Sequence, residues 1–274
     1  MAIITITRGL HSGGEEIAEN VAQALGARCV SGEVLAEAAK TYNVPEEKIS
    51  QVFEKSPSFW ERMTESRRIY VAYVQATLAD WARDDNLVYH GNAGQELLRE
   101  VPHALKVRLM FPVERRVRRI MEQFGHERER AERMVEQIDE ERTKRTRYMF
   151  NSDWRDPSRY DMVLRLERIR PEDAQRLIID LSAQAPFRLD DEKRGRFDDF
   201  LLKSRVQALL AGALVGRLSL IDVIVRDGVV TLQGTLTSHE AMIEQVVGQI
   251  EKLDGVRRVN NEIVVGLVYH EWNV

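Results

Sequence analysis

With 274 residues, 43% of them apolar and 31% charged, the chain is long enough for one large and one small domain or for two medium ones, and too apolar for general disorder. A formal net charge of −4 gives no global reason to expect nucleic acid, so any basic site must be local. The single cysteine, Cys29, excludes an internal disulfide and a cysteine-based zinc cluster, no run approaches the ~18–20 apolar residues of a membrane span, and the first residues lack the basic leader and apolar core of a signal peptide, so a cytoplasmic protein is expected.

Ile3 to Thr7 alternates β-branched residues and reads as a short buried strand. A glycine-bearing turn follows, then a helix from Glu15 to Leu25 with Ile17, Val21, Ala24 and Leu25 on one face, closed by Gly26. "ARCVS" is a second strand, and "GEVLAEAAKTY" and "NVPEEKISQVFE" are helices. Trp60 to Ala82 reads as a long amphipathic helix with Tyr70, Val74, Thr77, Leu78 and Trp81 at helical spacing. "NLVYHG" and "ALKVRLMF" suit buried parallel strands, separated by a loop-and-helix segment. Val113 to Tyr148 is charged and helical, "YDMVLRLE" is a last strand and "PEDAQRLIIDLSAQ" a last helix. Strands alternating with helices predict a doubly wound α/β domain with a parallel sheet over residues 1–185, its ligand beyond the carboxyl ends of the strands.

Residues 186–199, "PFRLDDEKRGRFDD", read as a linker. A different pattern occupies 200–266: a helix from Phe200 to Leu214, strand "LIDVIVR", the turn Asp227-Gly228, strand "VVTLQG", a helix from Ser238 to Leu253 and strand "RVNNEIVV". Asp-Gly between alternating runs signals a hairpin, and the order predicts a small α+β module of αββαβ type. Residues 267–274 form a tail. Residues 1–185 are expected to fold and bind ligand without the module.

The first turn, "RGLHSGGEEIA", admits two readings. A phosphate loop of the GxxxxGK[ST] kind cradles phosphate on backbone N–H groups at a helix start and adds a lysine and a hydroxyl. Counting from Gly9, Gly14 falls in place, but Glu15 and Glu16 stand where lysine and Ser or Thr belong. The same residues spell an S-x-x-E capping box, with Ser12 as the cap and Glu15 reaching back. Both readings leave a positive helix end, with Arg8 just before it.

"ITITRGLHSGGEEIA" resembles the opening of the cytidylate kinase-like proteins, a branch of P-loop nucleoside monophosphate kinases in which many members also lack the lysine. "CVSGEVLAEAA" is similar to the segment whose serine touches the acceptor base, with Ser31 at the matching place, and "LVYHGNAGQELLREVPHALKVRLMFPVERRVRR" is similar over more than thirty positions. "IDEERTKRTRYMFNSDWRDPSRYDMVLRL" resembles the lid and following strand, with Asp139 and Arg142 matching its D-x-x-R. Departures are His90 and Asn92 in place of aspartate and arginine, and Ala36 where an acceptor arginine belongs; each removes a charge-assisted contact worth ~1.5–3 kcal/mol, which Arg67, Arg68 or the lid could compensate.

The resemblance implies that Arg142 clamps the transferring phosphoryl group, with Lys144 and Arg145 as further candidate cations nearby, and that Arg8, Gly9, Ser12, Gly13, Gly14 and Glu15 cradle phosphates. It places Ser31 against the acceptor; His90 and Asn92, at the two departures, and Arg67, as a compensating cation, complete the expected acceptor set, and no metal ligand is named. By charge pattern alone, the basic run reads as a solvated helix face with i,i+4 pairs, and only the lid resemblance turns that reading for Arg142. His11 and His90 each weigh a structural role against a site role, Cys29 reads as inert, and Trp154 reads as a packing residue.

"VIVRDGVVTLQGTLTSHEAMIEQVVGQIEKLDGVRRVNNEIVV" resembles a BON domain, with Gly228, Gly234, Gly255 and Asn260 at its expected places. This implies a docking, sensing or oligomerising attachment with an unidentified ligand or protein partner. The combined reading is an ATP- and Mg2+-dependent nucleoside monophosphate kinase-like phosphotransferase of CMP/dCMP type. The competing reading is a nucleotide-sensing pseudokinase. Nucleoside tri- and monophosphates are the expected ligands, nucleic acid is not, and a homo-oligomer is allowed.

Overall fold

The computed structural model describes residues 2–9, 11–54, 64–214, 218–236 and 240–266. The tail and the first residues of the long helix expected from Trp60 lie outside them.

Strands β1 (Ile3–Arg8), β2 (Arg28–Val30), β3 (Leu87–Tyr89), β4 (Leu105–Met110) and β5 (Met162–Arg165) form one sheet in the order β2-β3-β1-β4-β5. Every pairing is parallel, from Ile3 opposite Leu87 on one side of β1 to Thr5 opposite Lys106 on the other. β1 is central and almost wholly buried, as its unbroken β-branched run requires in a sheet covered on both faces. Under one face Ile4, Ile6, Val88 and Val107 pack against α1 (Gly14–Leu25) and α8 (Pro171–Ser182). Over the other, Ile3, Leu87 and Tyr89 meet α2 (Glu33–Thr41), α3 (Glu46–Glu54) and α4 (Thr64–Trp81). On α4 the expected stripe is inside: Tyr70, Val74, Thr77 and Leu78 are buried.

A short helix, α5 (Gly94–Leu97), follows β3, and the charged stretch folds as two helices, α6 (Val113–Phe124) and α7 (Arg128–Phe150), separated at Gly125. They pack through Val117, Ile120, Ala131 and Val135. The two readings of this basic run fall on different faces of α7. Lys144 is exposed and bonds Glu140 at 3.3 Å, as a solvated face would, while Asp139, Arg142 and Thr143 turn inward.

The second sheet is β6 (Ile221–Arg226), β7 (Val229–Leu236) and β8 (Arg258–Val265), with β6–β7 antiparallel around Asp227-Gly228 and β7–β8 parallel. Together with α9 (Asp191–Ala213) before it and α10 (Glu240–Ile250), this is the expected αββαβ order.

α9 spans Asp191–Ala213, so residues 191–199 of the stretch read as a linker are helical. Asp190 supplies the reason: its carboxylate accepts the Lys193 N–H at 2.9 Å and caps a helix start among charges. Phe197, Phe200, Leu201, Ala208 and Ala211 complete the core over the large sheet, while Leu202, Val206 and Leu210 of the same helix, with Leu214 just after it, enter the core of the small one. Asp199 also accepts the N–H groups of Asp227 and Gly228 at 2.8 and 2.9 Å, fastening the hairpin turn to the helix. The expectation that residues 1–185 stand alone therefore meets a physical objection: that segment lacks two phenylalanines of its own core. Among the described residues no helix is long and apolar enough to cross a membrane.

Candidate functional site

The turn after β1 does not form the expected capping box. The residue flanking α1 is Gly13, in the left-handed region (φ 82°), and the helix start has no side-chain cap. Ser12 therefore lies one position too early; its hydroxyl is buried and accepts the Gly14 N–H at 3.3 Å. Glu15 turns instead to the Arg8 guanidinium and forms an ion pair.

The glycines of this turn are where arginines pass close to the backbone. A Cβ on Gly9 would lie 3.0 Å from the Arg116 guanidinium, one on Gly13 would collide with Arg119, and one on Gly14 would lie 2.6 Å from Cδ of Arg8. Arg116 is buried and paired in both arms with Asp139, at 2.6 and 2.8 Å, which ties α6 to α7 over the turn. Arg116 and Arg119 were not among the expected site residues. Their signal was three-residue spacing in "FPVERRVRR" directly after β4, next to a turn whose glycines leave room for them.

A cavity of about 380 Å³ opens at the carboxyl ends of β1, β2 and β3. It brings together Arg8, Ser31, His90, Asn92, Arg142 and Arg145 from the expected set. A second hollow, about 730 Å³, lies on the other side of the turn and includes Arg8, Ser12, Gly13, Glu15 and Arg119.

His90 is buried, and its Nδ1 lies 3.2 Å from Nη2 of Arg8. A guanidinium only donates, so Nδ1 accepts and the ring is neutral with its proton on Nε2. Burial, then the Arg8 charge, pushes the imidazole pKa down. Burial likewise lowers the pKa of Arg8, partly offset by Glu15. Asn92 anchors the cavity wall: its amide donates to the Phe53 carbonyl at 3.3 Å, and its own carbonyl accepts from Tyr89 at 3.1 Å. Glu33 accepts the Ser31 N–H at 2.7 Å, fixing the backbone beside the Ser31 side chain.

Arg142 donates to the Arg8 carbonyl, and its guanidinium lies 4.5 Å from the Trp154 ring centre. Trp154 is buried and is held in turn by its indole N–H, which donates to Thr143 at 3.0 Å, so it packs as expected. Arg142 forms no carboxylate ion pair among the described residues, because Asp139 is taken by Arg116. Burial pushes its pKa down to about 10, with Arg145 and Arg8 adding repulsion. Arg145 also has its pKa lowered by burial, and Glu141 and Glu54 offset this only through space.

Two expected site residues lie elsewhere. Lys144 points out of α7 into solvent, because the helical turn that brings Arg142 and Arg145 to the cavity rotates it away. Arg67 donates to the Tyr148 carbonyl and stacks on its ring at 4.4 Å, in a separate cleft beside α9 and Ile221. His11 lies 3.2 Å from Oε1 of Gln123 and edge-on to Phe124, contacts that hold the turn against α6. Among the described residues no group of three or more His, Cys, Asp or Glu side chains is arranged to hold a metal ion.

The family model described as "Cytidylate kinase-like family" matches residues 3–168, more than half of the sequence. The chain belongs to the cytidylate kinase-like family. Residues 198–266 match the BON domain, which identifies the small αββαβ module. A solved structure of an uncharacterized protein from Eubacterium ventriosum ATCC 27560 is similar at 20% identity and TM-score 0.51, covering 66% of this chain and 97% of that one, a likeness of fold. Shikimate kinase from Bacteroides thetaiotaomicron matches at 13% identity and TM-score 0.42, covering 67% and 99% of the two chains. A gluconokinase from Sinorhizobium meliloti 1021 matches at 15% identity and TM-score 0.38, covering 67% and 97%. No curated protein matches. The large domain is the doubly wound parallel sheet of a cytidylate kinase-like protein, followed by a BON domain.

Proposed function

We propose that this protein transfers the γ-phosphoryl group of ATP to a nucleoside monophosphate of the CMP or dCMP type. The observation that carries the reading is the convergence of Arg8, Arg142 and Arg145 on one cavity, two of them without a carboxylate ion pair among the described residues. Cations kept partly out of water without counter-charges destabilise the free protein, and an anionic ligand with several phosphate oxygens supplies what they lack.

The residues present fit a polyphosphate donor. Beyond the Gly14 N–H, which Ser12 accepts, the start of α1 leaves N–H groups of its first turn for phosphate oxygens, with Arg119 and Arg8 beside it. They also fit magnesium, which is commonly held by one or two carboxylates together with phosphates and water; Glu16 and Glu19 line the same hollow. When bound, the metal neutralises charge between donor phosphates. In the transfer the bond from the γ-phosphorus to the bridging oxygen breaks, one to an acceptor phosphate oxygen forms, and the charge leaves on ADP. Arg142 and Arg145 donate to the oxygens that gather charge on the way. His90, neutral, offers its Nε2–H as a fixed donor, and Ser31 and Asn92 shape the acceptor wall.

A second reading, a nucleotide sensor without turnover, draws on the Arg8–Glu15 pair, which occupies a loop cation that a kinase needs free. In either case α9, shared by both cores, makes the BON domain a module that reports on or docks the nucleotide domain. ATP as donor makes the cytoplasm the expected setting. The test is ADP formation from ATP and magnesium against CMP, dCMP, UMP, AMP and GMP. Acceptor-dependent turnover favouring CMP or dCMP supports the first reading; nucleotide-induced thermal stabilisation without turnover supports the second.

A further inference from the structure

Arg8 lines both hollows, the cavity at the strand ends and the one beside the α1 start, and among the described residues it alone is common to them. Anything bridging the two passes Arg8. The side chain is held there from both sides, by Glu15 on α1 and by Nδ1 of His90 after β3. Its route is the informative part. The stem crosses the space that a side chain on residue 14 would take: an added Cβ on Gly14 would lie 2.6 Å from Cδ of Arg8 and 3.1 Å from its Cβ. Gly14 is the first residue of α1 and has no left-handed conformation to explain it. A side chain there would meet Arg8 first and Cε2 of Phe111, at 3.3 Å, next.

From this geometry we propose that Arg8 is the phosphate-binding cation of the turn, delivered from the end of β1 in place of a lysine on the helix start, and that it touches the phosphate chain where the two hollows meet. The assignment rests on the phosphotransferase reading for its reaction but not for its binding. A guanidinium suits the position because its planar fork donates in more than one direction, whereas an ammonium on a helix start acts as a point charge. The pair with Glu15 is compatible with this role: Glu15 is well exposed and can be displaced by a phosphate oxygen, while Arg8 itself is only 11% exposed and stays in place.

The test measures binding of inorganic tripolyphosphate to the full chain without metal, by calorimetry, in three proteins: wild type, Arg8→Ala and Gly14→Ala. Loss of a charge-assisted contact is expected to weaken binding about tenfold to a hundredfold in Arg8→Ala. Gly14→Ala is expected to bind worse than wild type, because its Cβ collides with the Arg8 stem. Undiminished binding in either folded variant overturns the proposal. If Arg8→Ala does not melt cooperatively, Arg8→Lys is the replacement; it should bind several-fold more weakly, and equal binding would count against the need for a fork. Tripolyphosphate binding through Arg8 without phosphoryl transfer to any monophosphate would refute the reaction and leave the assignment of Arg8 standing. Transfer with Arg8-independent binding would do the reverse.

Discussion

Replacing Arg142 with methionine separates a cation kept for chemistry from one kept for packing. Methionine preserves much of the stem and keeps Trp154 covered, while removing the charge and the bond to the Arg8 carbonyl. At neutral pH this arginine is protonated both folded and unfolded, so its depressed pKa of about 10 is a penalty on folding. At ~1.4 kcal/mol per tenfold, the penalty is about 3 kcal/mol as an upper bound, and less because part of the side chain faces the cavity. Against it stand a charge-assisted hydrogen bond of ~1.5–3 kcal/mol and a cation–π contact of ~1 kcal/mol. These terms nearly cancel, so the melting temperature should stay within about 4 °C of wild type. Acceptor-dependent ADP formation should meanwhile fall about 10²- to 10³-fold, as for loss of one donor aimed at transition-state charge, with ATP still stabilising the fold. A variant that melts more than about 6 °C lower yet turns over normally would mark Arg142 as structural and refute the reasoning.

His90 should make stability fall on mild acidification. Its folded pKa lies below the ordinary value of about 6.5, so the unfolded chain binds the extra proton first, and stability present above that pH is lost as pH drops towards the folded value. Melting curves between about pH 7.5 and 5 should show a shallower decline for His90→Asn; an unchanged slope would sink the assignment. Asp139→Asn should destabilise the protein by about 1–3 kcal/mol by leaving Arg116 without its carboxylate, and a denaturant titration showing no change would contradict the role of the pair. Gly13→Ala should cost about 1–2 kcal/mol for its left-handed backbone and also weaken tripolyphosphate binding by displacing Arg119, both readable in one thermal-shift series. A fragment ending at residue 185 loses Phe197 and Phe200, each worth about 3–5 kcal/mol in a core, and should not unfold cooperatively; a fragment with a sharp transition would return the boundary to 185.

The strands and most helices were legible because each is a short apolar run or a clear helical stripe, bounded by a glycine or a cap. β1 shows this best: five of its six residues are buried, and its β-branched run admits little else. The start of α9 was hidden because Phe197 and Phe200 sit singly among "DEKRGRFDDF", where composition speaks for a linker and only tertiary packing reveals a core face. The capping box failed for a related reason: spacing alone permits Ser12 and Glu15 to pair, but Arg8 offers Glu15 a charged partner and Gly13 takes the cap position. In the candidate site, Ser31, His90 and Asn92 follow strand ends, where the topology gathers them on one cavity. Arg67, named as a cation to compensate the departures from the family motif, lies on a distant helix in another cleft, while Arg116 and Arg119 reach the turn through an α6 orientation that periodicity does not specify.

The most direct test of the central claim follows the phosphoryl group itself. ATP labelled at the γ-phosphate is incubated with the full chain, magnesium and CMP or dCMP, and the products are separated. The account predicts label in the nucleoside diphosphate, at a rate dependent on the acceptor and largely abolished in Arg142→Met. Label remaining in ATP, or released only as inorganic phosphate regardless of acceptor, would contradict a nucleoside monophosphate kinase.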